Sequence, residues 1–320
     1  MRRLDSVRRT SAGDLTFTLR DELGSLDVQG RDVLVAVDRS LVVLEPALLA
    51  AERGREVTAP LSWAAFGGRV LESGTDAAIR PGRRVCGIGP AAARVRCEDS
   101  ALVTAPAGLD AVNEPLVALT LALVETVRCG ALELGESAAV AGRGILAASL
   151  VTMLARNGAG VVAWAGAPVP GEEGADHGRA QVVRGADIES VKAAAPAGFD
   201  LLLSVQQGTR ELLESLPLLR DGGRAVAVAG EGPPLPEAAD LYTHAHRRSL
   251  RLTAATLGGL VRWHALVEPR SLDLCHELWG DGLAPLGRIV TVDVHAGVTG
   301  LGLPIETEHL VTLAWHGANR

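Results

Sequence analysis

The residues with the clearest capacity for chemistry lie in Ser137-Ala-Ala-Val-Ala-Gly-Arg-Gly-Ile-Leu-Ala147. There Gly142, Gly144 and Ala147 fit the spacing G-x-G-x-x-G/A. In that pattern the first glycine turns the chain sharply out of a strand. The second lets the backbone approach a pyrophosphate, and the third small residue lets a helix pack closely on the sheet. Free N–H groups at the start of that helix then hold the phosphates. The candidate cofactor-binding residues are therefore Gly142, Arg143, Gly144, Ile145, Leu146 and Ala147. A βαβ turn that carries no ligand is the competing reading. The flanks favour the first. A helix-like run continues to Arg156, and a second apolar run, Gly160-Val-Val-Ala-Trp164, follows.

The end of that second run bears on which dinucleotide is expected. NAD binders place Asp or Glu there, about 20 residues after the first glycine, to hold the ribose hydroxyls. Here the segment is Val162-Ala-Trp-Ala-Gly-Ala167, and the first acid after it is Glu172. A missing carboxylate favours NADP(H) over NAD(H), because a carboxylate would repel the extra phosphate. Arg143, Arg179 and Arg184 are candidates to grip that phosphate, and each also reads as a solvated surface arginine.

The elements that must position these residues follow from the rest of the chain. Its 320 residues suffice for one large domain or two ordinary ones. With 48% hydrophobic but only 3% aromatic residues, the core must be mostly Ala, Val and Leu. A net charge of −7 and the lack of a basic cluster interleaved with aromatics argue against nucleic acid as partner. No apolar run approaches a membrane span of roughly 20 residues, and no secretory h-region follows Arg2, Arg3, Arg8 and Arg9. Cys86, Cys97, Cys129 and Cys275 are dispersed without a C-x-x-C pair, so a reducing cytoplasm is the expected compartment.

The first third carries β-like runs: Leu15–Leu19, Asp32–Val37, Arg69–Glu72, Arg84–Gly87 and Arg94–Cys97. A long helix is expected over Glu114–Cys129, with Pro115 tolerated in its first turn. From Ala138 strands alternate with helices. Phe199–Val205 reads as a strand, Glu211–Arg220 as a helix, Asp221-Gly222 as a turn, and Gly223–Gly230 and Leu250–Ala255 as strands. Arg288–Val294 and His309–Trp315 return to the β pattern. The alternation calls for a parallel sheet between helices, set inside a β-rich domain.

These pieces, in this order, resemble the medium-chain dehydrogenase/reductase superfamily. The resemblance is carried by Gly68-Arg-Val-Leu-Glu-Ser-Gly74, Arg80-Pro-Gly-Arg-Arg-Val85, Glu114-Pro115-Leu116, Val140–Ala147 and Asp221–Gly230. It implies an α/β fold in which a Rossmann nucleotide-binding domain is inserted in a GroES-like β-rich catalytic domain. The expected boundaries are 1–113 and 266–320 for the catalytic domain and 114–265 for the Rossmann domain. It adds Gly166 and Gly230 to the cofactor-binding set and implies a homodimer as an expected assembly.

Zinc members of the family use a cysteine and a Gly-His-Glu turn. The matching positions are Val43 and Trp63-Ala64-Ala65, which supply no ligand, and no replacement set is evident. His244 and His246, near Tyr242, read as strand residues at the surface. The expectation is a zinc-independent, NAD(P)H-dependent oxidoreductase acting on a small organic carbonyl, enone or quinone, with a role in specialised-metabolite biosynthesis as one suited setting. The alternative is a non-redox family member: a pseudoenzyme, a binding protein, or an isomerase or lyase reusing the cleft. Without zinc, a carbonyl needs a general acid or hydrogen bonds. Glu45, Glu114 and Ser40 are the catalytic candidates, with Trp63 as a further lining residue. Structural roles compete for each: Ser40 at a strand end, Glu114 opening a helix, Trp63 in the core.

Overall fold

The computed structural model describes residues 2–9, 15–21, 27–42, 57–60, 64–142, 144–165, 180–185, 187–205, 209–229, 245–256, 289–294, 300–303 and 310–315. In chain order these form strands β1 (Arg2–Arg9), β2 (Leu15–Asp21), β3 (Asp32–Val42), β4 (Val57–Pro60), β5 (Ala64–Ser73), β6 (Arg84–Gly89), β7 (Arg94–Glu98) and β8 (Leu102–Thr104), then helix α1 (Glu114–Cys129). Next come β9 (Ser137–Ala141), α2 (Gly144–Arg156), β10 (Val161–Ala165), β11 (Gln181–Gly185), α3 (Ile188–Ala194), β12 (Phe199–Ser204), α4 (Thr209–Ser215), β13 (Leu219–Ala229) and β14 (Arg251–Thr256). The last described strands are β15 (Ile289–Val294), β16 (Gly300–Leu303) and β17 (Leu310–Trp315).

The chain divides into two compact units. One takes Met1–Ala122, Gly258–Gly280 and Arg288–Arg320; the other takes Leu123–Leu257 and Asp281–Gly287. The division falls inside α1. That helix is buried on every side over its first ten residues, as its run of Leu, Val and Ala requires. Among the described residues no helix is long and apolar enough to cross a membrane.

The first unit holds a four-stranded sheet, β16-β2-β1-β4, and a seven-stranded one, β15-β17-β3-β5-β6-β8, with β7 also paired to β3. Both chain ends contribute, since β17 pairs antiparallel with β3 and β16 with β2. Phe17, Val35, Phe66, Leu313 and Trp315 meet in one core. Three aromatics, Phe17, Phe66 and Trp315, stand among Val, Ala and Leu, which make up the rest of this core.

The second unit is a six-stranded parallel sheet in the order β11-β10-β9-β12-β13-β14. The chain starts in the middle at β9, builds outward through β10 to β11, then returns to the other side at β12. The order thus reverses beside β9, which is where open α/β sheets bind ligands. Four of the five residues of β9 and of β10 are buried, as parallel strands covered on both faces must be. One core gathers Ala139, Ala141, Ala163 and Leu202 of the sheet with Val191 of α3 and Leu212 of α4. Helix α2 packs on β9 and β10. It ends at Arg156 and is followed by Gly158 in the left-handed region, φ +94°.

Two polar anchors fix where β9 begins. Ser137 donates its backbone N–H and its Oγ to Asp200 Oδ2, at 2.8 and 2.7 Å. Arg224 of β13 donates to the Gly130 and Ala131 carbonyls just beyond α1 and to both oxygens of Glu136. The Arg224 hydrogen bond holds the Glu136 carboxyl below the usual carboxylate range, so this anchor is charged at neutral pH.

Three expectations are corrected. The helix expected over Glu211–Arg220 runs only over Thr209–Ser215 and gives way to a 3-10 turn, Leu216–Leu218. Pro217 in that turn lacks the N–H that an α-helix needs. The following strand begins at Leu219 rather than Gly223, and Asp221-Gly222 lies within it. Gly222 has φ +75°, and pairing with β12 shifts register between Phe199↔Leu219 and Leu201↔Arg224, so the turn residues form an irregularity inside β13. Finally, His246 opens a 3-10 turn, His246–Arg248, rather than lying on a strand.

Candidate functional site

The glycine turn forms where the spacing places it. Gly142 follows β9 directly, and α2 starts at Gly144. Gly142 has φ +144°, a conformation open to glycine and strained for other residues. A Cβ there would lie 3.0 Å from Val205 Cβ. Backbone and packing therefore both require glycine. The Gly142 N–H donates to the Ala165 carbonyl at 3.2 Å, and its own carbonyl accepts from Trp164 Nε1 at 3.0 Å. On the other side the Val205 N–H donates to the Ala141 carbonyl at 2.8 Å. Ala147 is fully buried and Leu146 nearly so, consistent with close packing of the helix on the sheet. The first N–H groups of an α-helix lack intrahelical acceptors, which suits the start of α2 to an anion. Gly142 and Gly144 carry no side chain, so the backbone of this turn could hold a dinucleotide pyrophosphate.

At the end of β10 stands Ala165, buried and without a carboxylate. Arg184 lies on the edge strand β11 with its side chain exposed. Arg143, Gly166, Arg179 and Gly230 lie outside the described residues, as do Glu172, Tyr242 and His244.

In the first unit Glu114 opens α1 with its side chain 1% exposed. Arg84, at the start of β6, meets it with both arms: Nε donates to Oε1, and Nη2 to Oε2 at 2.6 Å. The same Nη2 donates to Asp38 Oδ2 at 2.9 Å. The Glu114 bond holds the Arg84 guanidinium above its ordinary pKa, although burial acts the other way. Gly67 of β5 makes this approach possible, since a Cβ there would lie 2.4 Å from Glu114 Cβ. The chain thus brings Asp38, Arg84 and Glu114 together. Asp38 and the role of Arg84 were not singled out from the sequence. The charged start of β6 was a signal, but its partners stand 30 and 46 positions away.

Ser40 is fully buried in β3, and its Oγ accepts from Trp315 Nε1 at 2.9 Å. That bond joins β3 to β17 and satisfies a core indole; Ser40 lies inside β3 rather than at a strand end. Glu45, Val43 and Trp63 lie outside the described residues. Ala64 and Ala65 are buried in β5 and offer no donor to a metal. Among the described residues no group of three or more His, Cys, Asp or Glu stands close enough to hold a metal ion.

No protein-family model and no curated protein matches the chain. Solved structures do match over nearly its whole length. Alcohol dehydrogenase from Thermus sp. ATN1 is 18% identical at a TM-score of 0.62, covering 98% of this chain and 99% of that one. CurK enoyl reductase is 12% identical at a TM-score of 0.60, covering 97% and 99%. A zinc-binding dehydrogenase, so described, from Sinorhizobium meliloti 1021 bound to NADP is 16% identical at a TM-score of 0.55, covering 98% and 99%. At such identities the likeness establishes the fold.

Proposed function

From a chain that carries the medium-chain dehydrogenase/reductase fold, we propose an NAD(P)-dependent oxidoreductase that acts without zinc on a small organic carbonyl, enone or quinone. The observation that carries this reading is Gly142, held at φ +144° at the carboxyl end of β9, where the strand order of the parallel sheet reverses. A bound nicotinamide would supply hydride transfer. The chain's own part is to seat the pyrophosphate on the turn through Gly142, Gly144 and the α2 N–H groups. NADP(H) is favoured because β10 ends at Ala165 and the sequence places no acid after it before Glu172, so no carboxylate stands where one would repel a 2′-phosphate in NAD binders. An NADP-bound neighbour and an enoyl reductase among the solved structures support the same direction.

Titration of purified protein with NADPH and NADH, followed by nicotinamide fluorescence, tests the reading. NADPH is expected to bind more tightly, and the same sample, prepared without chelator, to contain well under one zinc per chain. No affinity for either nucleotide would transfer the case to a non-redox binding protein. A full equivalent of tightly held zinc with chelator-sensitive turnover would remove the zinc-free reading.

As the acid that would act in place of a metal we propose Glu45, which lies outside the described residues. Glu114 is already engaged through both oxygens by Arg84 and serves to position that arginine and the helix start. With NADPH and a panel of small quinones and enones, Glu45→Gln is expected to lower turnover by roughly 10²–10⁴-fold while nucleotide affinity stays intact. Near-normal turnover in that variant would point instead to a water relay, or to hydride addition that needs no acid.

A further inference from the structure

We infer that Trp164 is a positioning residue for the dinucleotide, acting through the peptide that leaves Gly142. The inference rests on the nucleotide reading above and goes beyond it, because no glycine pattern asks for an indole at this place. Trp164 is the next-to-last residue of β10 and is 1% exposed. Its register partner on β9 is Val140, two residues before the turn. Its Nε1 crosses to the Gly142 carbonyl at 3.0 Å, while the carbonyl of the next residue, Ala165, takes the Gly142 N–H at 3.2 Å. Both backbone groups of the first turn glycine are therefore held by the last two residues of one strand.

The need for this contact is local. The β9 ladder pairs Ala141 with Ala165 and Ser204 and stops there. The Gly142 carbonyl lies beyond the ladder, in a setting where an unpaired acceptor is costly. An indole N–H only donates, sits on a rigid ring, and has no competing partner in an apolar core. Because the peptide is planar, fixing that carbonyl also fixes the plane of the bond that enters the turn. Glycine at φ +144° would otherwise leave that plane free to rotate. Trp164 removes this freedom before a ligand arrives, so less ordering remains to be done on binding.

The test uses full-length protein, NADPH, and adenosine 2′-monophosphate, which carries the adenosine and 2′-phosphate but no pyrophosphate. Trp164→Phe keeps an aromatic ring and removes the N–H. The variant is expected to bind NADPH about tenfold more weakly. Its affinity for adenosine 2′-monophosphate is expected to stay within about twofold of the parent. Unchanged NADPH affinity would overturn the inference, as would an equal loss for both ligands, which marks general structural support. If Trp164→Phe does not fold, 3-benzothienylalanine at position 164 keeps the indole shape and lacks only the donor, and the same two outcomes decide. Failure of the unmodified protein to bind NADPH is a separate result that ends the nucleotide reading itself.

Discussion

Gly142→Val is expected to abolish dinucleotide binding and to destabilise the nucleotide unit, whereas Gly144→Val should abolish binding with a much smaller loss of stability. The contrast follows from where each residue sits. At position 142 the backbone is at φ +144°, which a β-branched residue adopts only under strain of about 1–3 kcal/mol. The new Cβ also arrives 3.0 Å from Val205 Cβ, so Val205, just past β12, would have to give. Once that happens the Trp164 and Ala165 bonds to Gly142 are lost together. At position 144 the residue opens α2, where a helical backbone accepts valine at least as readily as glycine. There the added methyl groups occupy the space a pyrophosphate needs. Both variants should bind NADPH at least about 100-fold more weakly, a change of about 2.8 kcal/mol. Thermal denaturation separates them. Equal melting temperatures would show that the turn tolerates a side chain at 142, and tight NADPH binding by Gly144→Val would mean that the phosphates lie elsewhere.

What could be read from the chain in advance was largely local. The span Glu114–Cys129 is legible because Pro115 suits a first helical turn and an apolar run, interrupted only by Thr120 up to Val124, follows it. The turn at Gly142 is legible because strand, glycines, helix and strand are neighbours in sequence. Long-range partners leave no comparable trace. Asp38 and Glu114 are ordinary acids until β3, β6 and α1 bring them to Arg84. Trp164 reads as one more core aromatic until its N–H reaches a carbonyl 22 positions away. The misread segment after Thr209 has another cause. The apolar spacing of Leu212, Leu213 and Leu216 continues a helical period, but Pro217 stops the hydrogen bonding that the period presumes. Leu219 and Arg220 then join the sheet instead, where Leu219 pairs with Phe199.

The largest stability effect in the first unit is expected from Arg84→Met. Glu114 is 1% exposed, and both its oxygens are taken by Arg84. Removing the cation leaves a buried carboxylate without the charge partner and donors that Arg84 supplies. Breaking such a pair from one side costs about 3–5 kcal/mol; the lower end applies here because Arg84 is one-third exposed and water can reach the gap. At about 3 kcal/mol, the first unit should melt lower by roughly 6–12 °C. Asp38 loses a partner too, but its exposed portion lets water replace the guanidinium. The double variant Arg84→Met with Glu114→Leu removes both charges together. It should recover more than half of the loss, since a buried pair exchanged for apolar groups is often neutral. Full recovery is not expected, because the carboxylate at the start of α1 also favours the helix dipole by about 0.3–1 kcal/mol. The cycle separates two accounts of Glu114. If it serves chiefly as the counter-charge of Arg84, the double variant is folded, more stable than Arg84→Met, and still binds NADPH. A double variant no more stable than Arg84→Met would show instead that Glu114 holds the helix start by contacts of its own.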